Sequence, residues 1–127
     1  MVLVDTSVWV DYFKGQKKAL VLNDLIDMNR VYVNDLILAE LLPAINQKKE
    51  HQLRDFLYAV AKIDLNIDWP KIILMQTKNI QNGINRVGIS DLVIAQNAIA
   101  NNIELLSFDK HFEIMADLHK IKLFGSN

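Results

Sequence analysis

Short apolar runs alternate with segments of helical periodicity along the chain. In the helical segments large apolar residues recur every three or four positions, as Trp9, Tyr12 and Phe13 do. Five runs are short enough to be strands: VLV at 2–4, VYVN at 31–34, KIDL at 62–65, ELLSF at 104–108 and IKLF at 121–124. Because strands and helices alternate throughout, we predict an α/β domain with a mostly parallel, five-stranded sheet.

Capping residues set the expected limits of the helices. The predicted helices cover 6–14, 17–29, 36–47, 49–61, a segment that begins near Pro70, 91–102 and 110–117. Asp35, Ser90 and Asp109 each precede one of these helices. Side chains of this kind accept hydrogen bonds from the unpaired N–H groups of a first turn. We therefore predict that these three residues are N-caps.

The composition is that of one folded domain. The chain has 127 residues, of which 51% are hydrophobic, so it can form a core and is too apolar for disorder. No apolar run approaches the ~20 residues that cross a bilayer, and the first residues lack the features of a signal peptide. Cysteine is absent, which excludes disulfides and thiolate metal sites. We predict one cytoplasmic domain over residues 1–127, with no membrane partner.

Acidic residues lie near the carboxyl ends of the predicted strands. Asp5 directly follows the first strand, and Asp109 lies just past the fourth. Glu40 lies in the helix after the second strand, and Asp91 opens the helix that leads into the fourth. Ligands of open parallel sheets bind beyond the carboxyl ends of the strands. We therefore expect these four acids at the same rim.

Each acid also has a purely structural interpretation. Asp5 and Asp109 can be helix caps, and Asp91 suits the positive end of a helix. Glu40 can reach solvent from the edge of an apolar helix. Together, however, several carboxylates at one rim repel each other, and a divalent cation removes that repulsion. Oxygen donors without cysteine suit Mg²⁺ or Mn²⁺. We rank Asp5 and Asp91 first as metal ligands, then Glu40, then Asp109.

Hydroxyl groups beside the acids are candidates for orienting them. Thr6 and Ser7 follow Asp5 and are predicted to donate hydrogen bonds to its carboxylate. Ser107 is predicted to do the same beside Asp109. Zinc is disfavoured because the histidines lack the spacing of a zinc motif. The histidines are His51, His111 and His119.

Three stretches resemble PIN-domain nucleases and, more narrowly, the VapC toxins of bacterial and archaeal VapBC toxin–antitoxin modules. They are DTSVWVDYFKG at 5–15, LAELLPAI at 38–45 and VGISDLVIAQNAIANNIELLSFDKHF at 87–112. The resemblance implies a three-layer α/β/α sandwich and a metal-dependent ribonuclease whose four acids are Asp5, Glu40, Asp91 and Asp109. It also implies an RNA target such as tRNA or rRNA, a VapB-type antitoxin that silences the toxin, and a homodimer.

The predicted reaction is hydrolysis of RNA phosphodiesters by a metal-activated water. RNA also needs cations near the acids, because its phosphates are repelled by carboxylates. Arg86, in the loop before Asp91, is the first candidate, and Lys110 is the second. A further basic group, which can equally be an ordinary solvated helix face, is Lys14, Lys17 and Lys18.

Three other functions stay open. A receiver-type signalling domain would also hold Mg²⁺ at this rim, with Asp64 as the phosphorylated residue, although hydroxyl residues follow Asp5 where a second acid is expected. A PIN-domain nuclease of ordinary RNA processing would use the same chemistry as a toxin. A binding module without activity is the third, and the intact set of acids argues against it.

Overall fold

The sheet is parallel throughout in the computed structural model, which describes residues 1–125. Its strands are β1 (Val2–Val4), β2 (Val31–Val33), β3 (Ala61–Lys62) and β4 (Glu104–Leu106). They lie in the order β3-β2-β1-β4. β1 is central, because Leu3 pairs with Tyr32 of β2 on one side and with Leu105 of β4 on the other.

Helices connect the strands and cover both faces of the sheet. They are α1 (Thr6–Phe13), α2 (Val21–Asp27), α3 (Asp35–Gln47), α4 (His51–Ala59), α5 (Trp69–Gln81), α6 (Ile89–Ala100) and α7 (Lys110–His119). Val2, Leu3 and Val4 are fully buried, although successive residues of a strand point to opposite faces. Layers therefore cover β1 from both sides, and the predicted α/β fold with a parallel sheet is confirmed.

Trp9 fixes α1 directly behind the end of β1. Its side chain is fully buried, and its ring centre lies 6.0 Å from that of Phe56. The indole N–H donates a hydrogen bond to the carbonyl of Val4 at 3.1 Å. A large aromatic residue is thus buried without an unpaired polar atom. Because β1 and α1 are held together in this way, Asp5 between them has a fixed position.

Several predicted elements are shorter than expected. The predicted strand at 62–65 overlaps β3 only at Lys62, because β2 pairs with Ala61 and Lys62. The predicted strand at 121–124 contributes one parallel bridge, between Leu123 and Leu105, so the sheet of the described residues has four strands. The chain turns directly afterwards at Gly125, whose φ is +78°. The predicted helix at 17–29 is a 3₁₀ turn over Lys17–Ala19 followed by α2, because Leu20 N bonds to the carbonyl three residues before it.

Asn34, rather than Asp35, is the N-cap of α3. Asn34 has extended backbone angles of −134° and 174°, and its side chain accepts a hydrogen bond from Ile37 N at 2.9 Å. Asp35 is already helical, and its carboxylate lies 2.9 Å from Lys62 Nζ. The prediction that Asp35 caps this helix is wrong, because β2 ends one residue earlier than a cap at Asp35 requires.

The other two predicted caps have different outcomes. α6 begins at Ile89, so Ser90 lies inside the helix and the extended residue Gly88 is the N-cap. The prediction for Ser90 is therefore wrong. The prediction for Asp109 is confirmed, since its carboxylate accepts a hydrogen bond from His111 N at 2.9 Å.

The buried apolar residues form one hydrophobic cluster that extends from Val2 to Ile121. Ser126 and Asn127, which the predicted domain of residues 1–127 includes, lie outside the described residues. In the part of the chain that is described, every helix is too short or too polar to cross a bilayer.

Candidate metal centre

Asp5 lies where β1 ends and α1 begins, and only 5% of it is exposed. Its Oδ2 accepts hydrogen bonds from Ser7 Oγ at 2.9 Å and from Ser107 Oγ at 2.8 Å. Ser107 is close because β4 pairs with β1, and Asp5 N donates to the carbonyl of Leu106 at 2.9 Å. Within residues 1–125, no group donates to the second oxygen, Oδ1, which is therefore available to a ligand.

Both serine hydroxyls are oriented by backbone N–H groups. Ser7 Oγ accepts a hydrogen bond from Phe108 N at 3.1 Å, and Ser107 Oγ accepts one from Asp109 N at 3.0 Å. Because these N–H groups occupy lone pairs of the hydroxyls, the hydroxyl hydrogens are directed to Asp5. Ser7 thus donates a hydrogen bond to Asp5, as the sequence predicted. Ser107 contacts the carboxylate of Asp5, and it contacts Asp109 only through the backbone.

Glu40 projects from α3 toward the start of α1. Its Oε1 accepts a hydrogen bond from Thr6 Oγ1 at 2.9 Å. The assignment of Thr6 to Asp5 is therefore wrong, because the Thr6 hydroxyl is directed to the other acid. Partial burial raises the pKa of Glu40, the Thr6 hydrogen bond lowers it, and the negative charges of Asp5 and Asp91 raise it.

His111 connects the two remaining acids. Its Nδ1 lies 3.0 Å from Asp91 Oδ2 and 3.5 Å from Asp109 Oδ1. Asp91 is in the first turn of α6, whereas Asp109 and His111 lie at the start of α7. One ligand atom from each of the three residues lies within 4.8 Å of the other two, which is a spacing that suits a metal ion.

The charges of the other acids also act on Asp91. Partial burial raises the pKa of Asp91, the hydrogen bond from His111 lowers it, and the charges of Asp109 and Asp5 raise it. Since Glu40 responds to Asp5 and Asp91 in the same way, each of the four carboxylates lies within range of the charge of at least one other.

The structure thus places the four predicted acids at one rim of the sheet. Across residues 1–125, no lysine or arginine forms an ion pair with any of them, whereas Asp11, Asp35 and Asp68 each have a lysine within 4.0 Å. Negatively charged oxygen donors are the ligands that Mg²⁺ and Mn²⁺ prefer. The donor set therefore fits a divalent cation, and the individual roles of the acids as ligands stay predictions.

His111 is the residue at this rim that the sequence did not indicate. The spacing of zinc motifs is the wrong criterion for it, because His111 meets Asp91 from a different helix and across 20 residues of sequence. A usable signal is its position in the first turn of α7, two residues after the capping Asp109.

The basic residues predicted to contact RNA are exposed. Arg86 lies in the loop before α6 with a left-handed φ of +66°, and Lys110 is the first residue of α7. Lys18 Nζ lies 4.8 Å from the centre of the Phe108 ring and 3.1 Å from Asp11. Because Phe108 directly precedes Asp109, Lys18 is the member of its basic group that we place beside the rim.

A family model described as the PIN domain matches residues 2–118 of the chain. The matched range includes all four acids, the two serines that contact Asp5, and His111. No curated protein shows a significant sequence match.

Several solved structures share the fold. VapBC2 from Rickettsia felis, bound to a DNA fragment of its promoter, matches with a TM-score of 0.76 and 21% identity over 100% of both chains. FitAcB from Neisseria gonorrhoeae matches with a TM-score of 0.75 and 19% identity over 98% of this chain and 97% of that chain. A toxin–antitoxin complex from Klebsiella pneumoniae matches with a TM-score of 0.65 and 17% identity over 88% and 90%. At these identities the similarity establishes the fold.

Proposed function

The chain belongs to the PIN domain family, and we propose that it is a metal-dependent endoribonuclease, the toxin of a type II toxin–antitoxin module. The observation that carries this proposal is the meeting of four carboxylates at the carboxyl ends of parallel strands, with no lysine or arginine paired to them across residues 1–125. Such a group is unfavourable without a cation and becomes favourable with one.

Asp5 and Asp91 are the proposed principal ligands of Mg²⁺ or Mn²⁺, followed by Glu40 and then Asp109. Asp5 is suited to this role because two serines hold its Oδ2 and leave Oδ1 to a ligand. Thr6 keeps the carboxylate of Glu40 at the rim through its hydrogen bond. When bound, the ion lowers the pKa of a water molecule and offsets the negative charge of a phosphodiester.

Cleavage of purified RNA with and without divalent cation tests the nuclease proposal. We expect Mg²⁺ or Mn²⁺ to be required, and Asp91→Asn to lower the cleavage rate by about 10³-fold, as loss of one transition-state contact commonly does. Asp27→Asn, which changes an exposed acid at the end of α2, is the matched control and should retain activity. Cleavage by Asp91→Asn at the wild-type rate would exclude the proposed site.

The toxin assignment rests on the similarity of the fold to VapBC and toxin–antitoxin complexes. We propose that the natural RNA is a tRNA or an rRNA, and that a VapB-type antitoxin inhibits the protein. Expression should arrest growth and create new internal RNA ends, and the product of a small adjacent reading frame should reverse both effects. Trimming of precursor ends without growth arrest would instead indicate ordinary RNA processing.

Arg86, Lys110 and Lys18 are the proposed contacts to RNA phosphates. All three are exposed, and Lys18 and Lys110 lie next to Phe108 and Asp109. Replacement of Arg86 by alanine should raise KM more than it lowers kcat, because the residue holds substrate and is not part of the acid group. The affinity for RNA should also depend less steeply on salt in this variant.

We propose that the protein forms a homodimer through the exposed apolar face of α5. Trp69, Ile73 and Ile80 on this helix are each more than half exposed, and Ile89 lines the same groove. Exposed apolar residues that adjoin in this way are typical of interaction surfaces. Ile73→Glu should convert a dimer to a monomer in light scattering, whereas Ile114→Glu, an equally apolar exposed position on α7, should not.

A receiver domain is not favoured by the topology. Asp64 follows the edge strand β3, which β2 separates from β1, so it does not lie beside Asp5 at the centre of the sheet.

We further propose that residues 1–127 form one PIN domain and that the protein acts in the cytoplasm, where its proposed RNA targets are found.

A further inference from the structure

The Nδ1 atom of the His111 ring faces the group of acids, while 34% of the side chain is exposed. Its Nδ1 faces Asp91 Oδ2 at 3.0 Å and Asp109 Oδ1 at 3.5 Å. The backbone N–H of His111 donates to the same oxygen of Asp109 at 2.9 Å, and Phe112 beside it is fully buried. These contacts hold the first turn of α7, so the ring is fixed with one nitrogen toward the rim.

The spacing of the three donor atoms corresponds to that around a single ion. Octahedral bonds of about 2.1 Å place neighbouring donors about 3 Å apart and opposite donors about 4.2 Å apart. The distances of 3.0 and 3.5 Å from Nδ1 are close to the first value. All three atoms lie within 4.8 Å of one another, so small movements would bring them to an ion.

We propose that His111 Nδ1 is a direct metal ligand together with Asp91 and Asp109, and that it makes the site select Mn²⁺ over Mg²⁺. This inference rests on the proposed metal-dependent function and adds the identity of the preferred ion. Mg²⁺ is a hard ion that favours oxygen donors, whereas first-row transition ions such as Mn²⁺ gain affinity from an imidazole nitrogen. In the metal-bound form the neutral ring carries its hydrogen on Nε2.

A second role for His111 would also explain the contacts with the carboxylates. The ring could act only by donating a hydrogen bond that orients Asp91, as groups around metal ligands commonly do. The two roles differ in what a substitution does. Loss of an orienting hydrogen bond weakens every cation alike, whereas loss of a nitrogen ligand weakens Mn²⁺ selectively. The ratio of the two affinities therefore separates them.

Titration calorimetry with Mn²⁺ and Mg²⁺ on the full chain, without RNA, measures that ratio. The variant is His111→Asn, whose amide oxygen replaces Nδ1 at a similar distance from the backbone. We expect Mn²⁺ affinity to fall by at least about tenfold, since loss of a partner that only orients a metal ligand already costs about that much, and Mg²⁺ affinity to change by less than about twofold. The control His51→Asn, at an exposed histidine in α4, should leave both affinities unchanged.

Pulsed electron paramagnetic resonance of bound Mn²⁺ detects a nitrogen ligand directly, without reference to affinities. A directly bound imidazole produces a nitrogen coupling, which should be present in the wild type, change on ¹⁵N-labelling of histidine and be absent in His111→Asn. Mn²⁺ binding without a nitrogen coupling, or an equal loss of both ions in His111→Asn, overturns the role of His111 and leaves the nuclease proposal intact. A wild-type protein that binds neither ion overturns both.

Discussion

Two groups of polar side chains differ in their surroundings: the carboxylates at the ends of the strands, of which only Asp5 is buried, and the buried amides of Asn34, Asn79, Gln96 and Asn97. Asn34 Nδ2 donates to Asn97 Oδ1 at 2.9 Å, and Asn97 Nδ2 donates to the carbonyl of Asp64 at 3.0 Å. Asn79 lies on α5 and contacts Gln76 at 3.1 Å and His119 at 2.7 Å. The amides are thus paired with one another and with the backbone, and they need no ligand.

The carboxylates are hydrogen-bonded as well, but hydrogen bonds do not cancel their charge. Serine, threonine and histidine side chains contact them. The pKa values of Glu40 and Asp91 are nevertheless raised by the charges of neighbouring acids. Buried neutral groups that satisfy one another contribute to the stability of one structure. Like charges held together without a cation lower the stability of the protein. A bound cation offsets their repulsion. We therefore expect the amides to control folding and the carboxylates to control function.

The largest expected effect is on catalysis. Asp5→Asn keeps the size of the side chain and removes its charge, and it should lower RNA cleavage by about 10³-fold. Asn97→Ala should change the cleavage rate of the folded protein by less than about twofold, because Asn97 lies outside the acid group. Rates measured on folded protein at saturating Mn²⁺ compare the two. Similar losses in both variants would mean that the two groups do not have separate roles.

Metal binding should stabilise the protein through the group of carboxylates at the rim and not through the buried amides. A cation at about 100 times its Kd adds about 2.7 kcal/mol to the free energy of unfolding if it binds only the folded state. Urea unfolding with and without Mn²⁺ should show this gain in the wild type and in Asn97→Ala. Asp5→Asn should lose most of it, and an undiminished gain there would place the ion elsewhere.

Without metal, truncating a buried amide and neutralising a carboxylate should change the free energy of unfolding in opposite directions. Asn97→Ala leaves Asn34 Nδ2 and the Asp64 carbonyl without a partner, which should cost about 2 kcal/mol of unfolding free energy. Glu40→Gln removes a charge that Asp5 and Asp91 repel, so it should leave stability unchanged or raise it. Urea denaturation in EDTA measures both, and a clear destabilisation by Glu40→Gln contradicts the repulsion between these acids.

The smallest expected effect is that stability depends on pH in opposite directions at the two groups. At the amides the titrating residue is His119, which contacts Asn79. Burial and Lys78 lower the pKa of His119, so protonation costs stability as the pH falls below about 6.5, the value in the unfolded chain. The pKa values of Glu40 and Asp91 are raised, so metal-free stability should decrease as the pH rises above about 4. Unfolding at several pH values should show that His119→Gln removes the first dependence only. Parallel curves for the wild type and His119→Gln would exclude the contribution of His119.

Much of the fold could be predicted because each element carries a local signal. The buried strands read as short apolar runs, and Asp109 caps α7 as its sequence position indicates. The errors arise where a neighbouring residue competes. Asn34 and Asp35 are both good caps, and the choice depends on where β2 ends, which pairing with β1 decides. The length of the segment at 121–124 likewise depends on contacts with Leu105, which periodicity does not report.

The four acids of the candidate site could be predicted from the sequence, but the side chains that contact them could not. Asp5, Glu40, Asp91 and Asp109 could be grouped because the ends of parallel strands share one edge. The partners depend on side-chain direction across helices. Thr6 turns toward Glu40, and His111 meets Asp91 from a different helix, and neither contact has a signature in the local sequence.

Ser107 contacts Asp5 from 102 residues further along the chain. During synthesis, the first acid of the site leaves the ribosome long before the strand and helix that complete its surroundings. A nascent chain without β4 and α7 lacks the serine donor, Asp109 and His111, so its candidate metal centre is incomplete. The proposed activity can therefore begin only after most of the chain has been made.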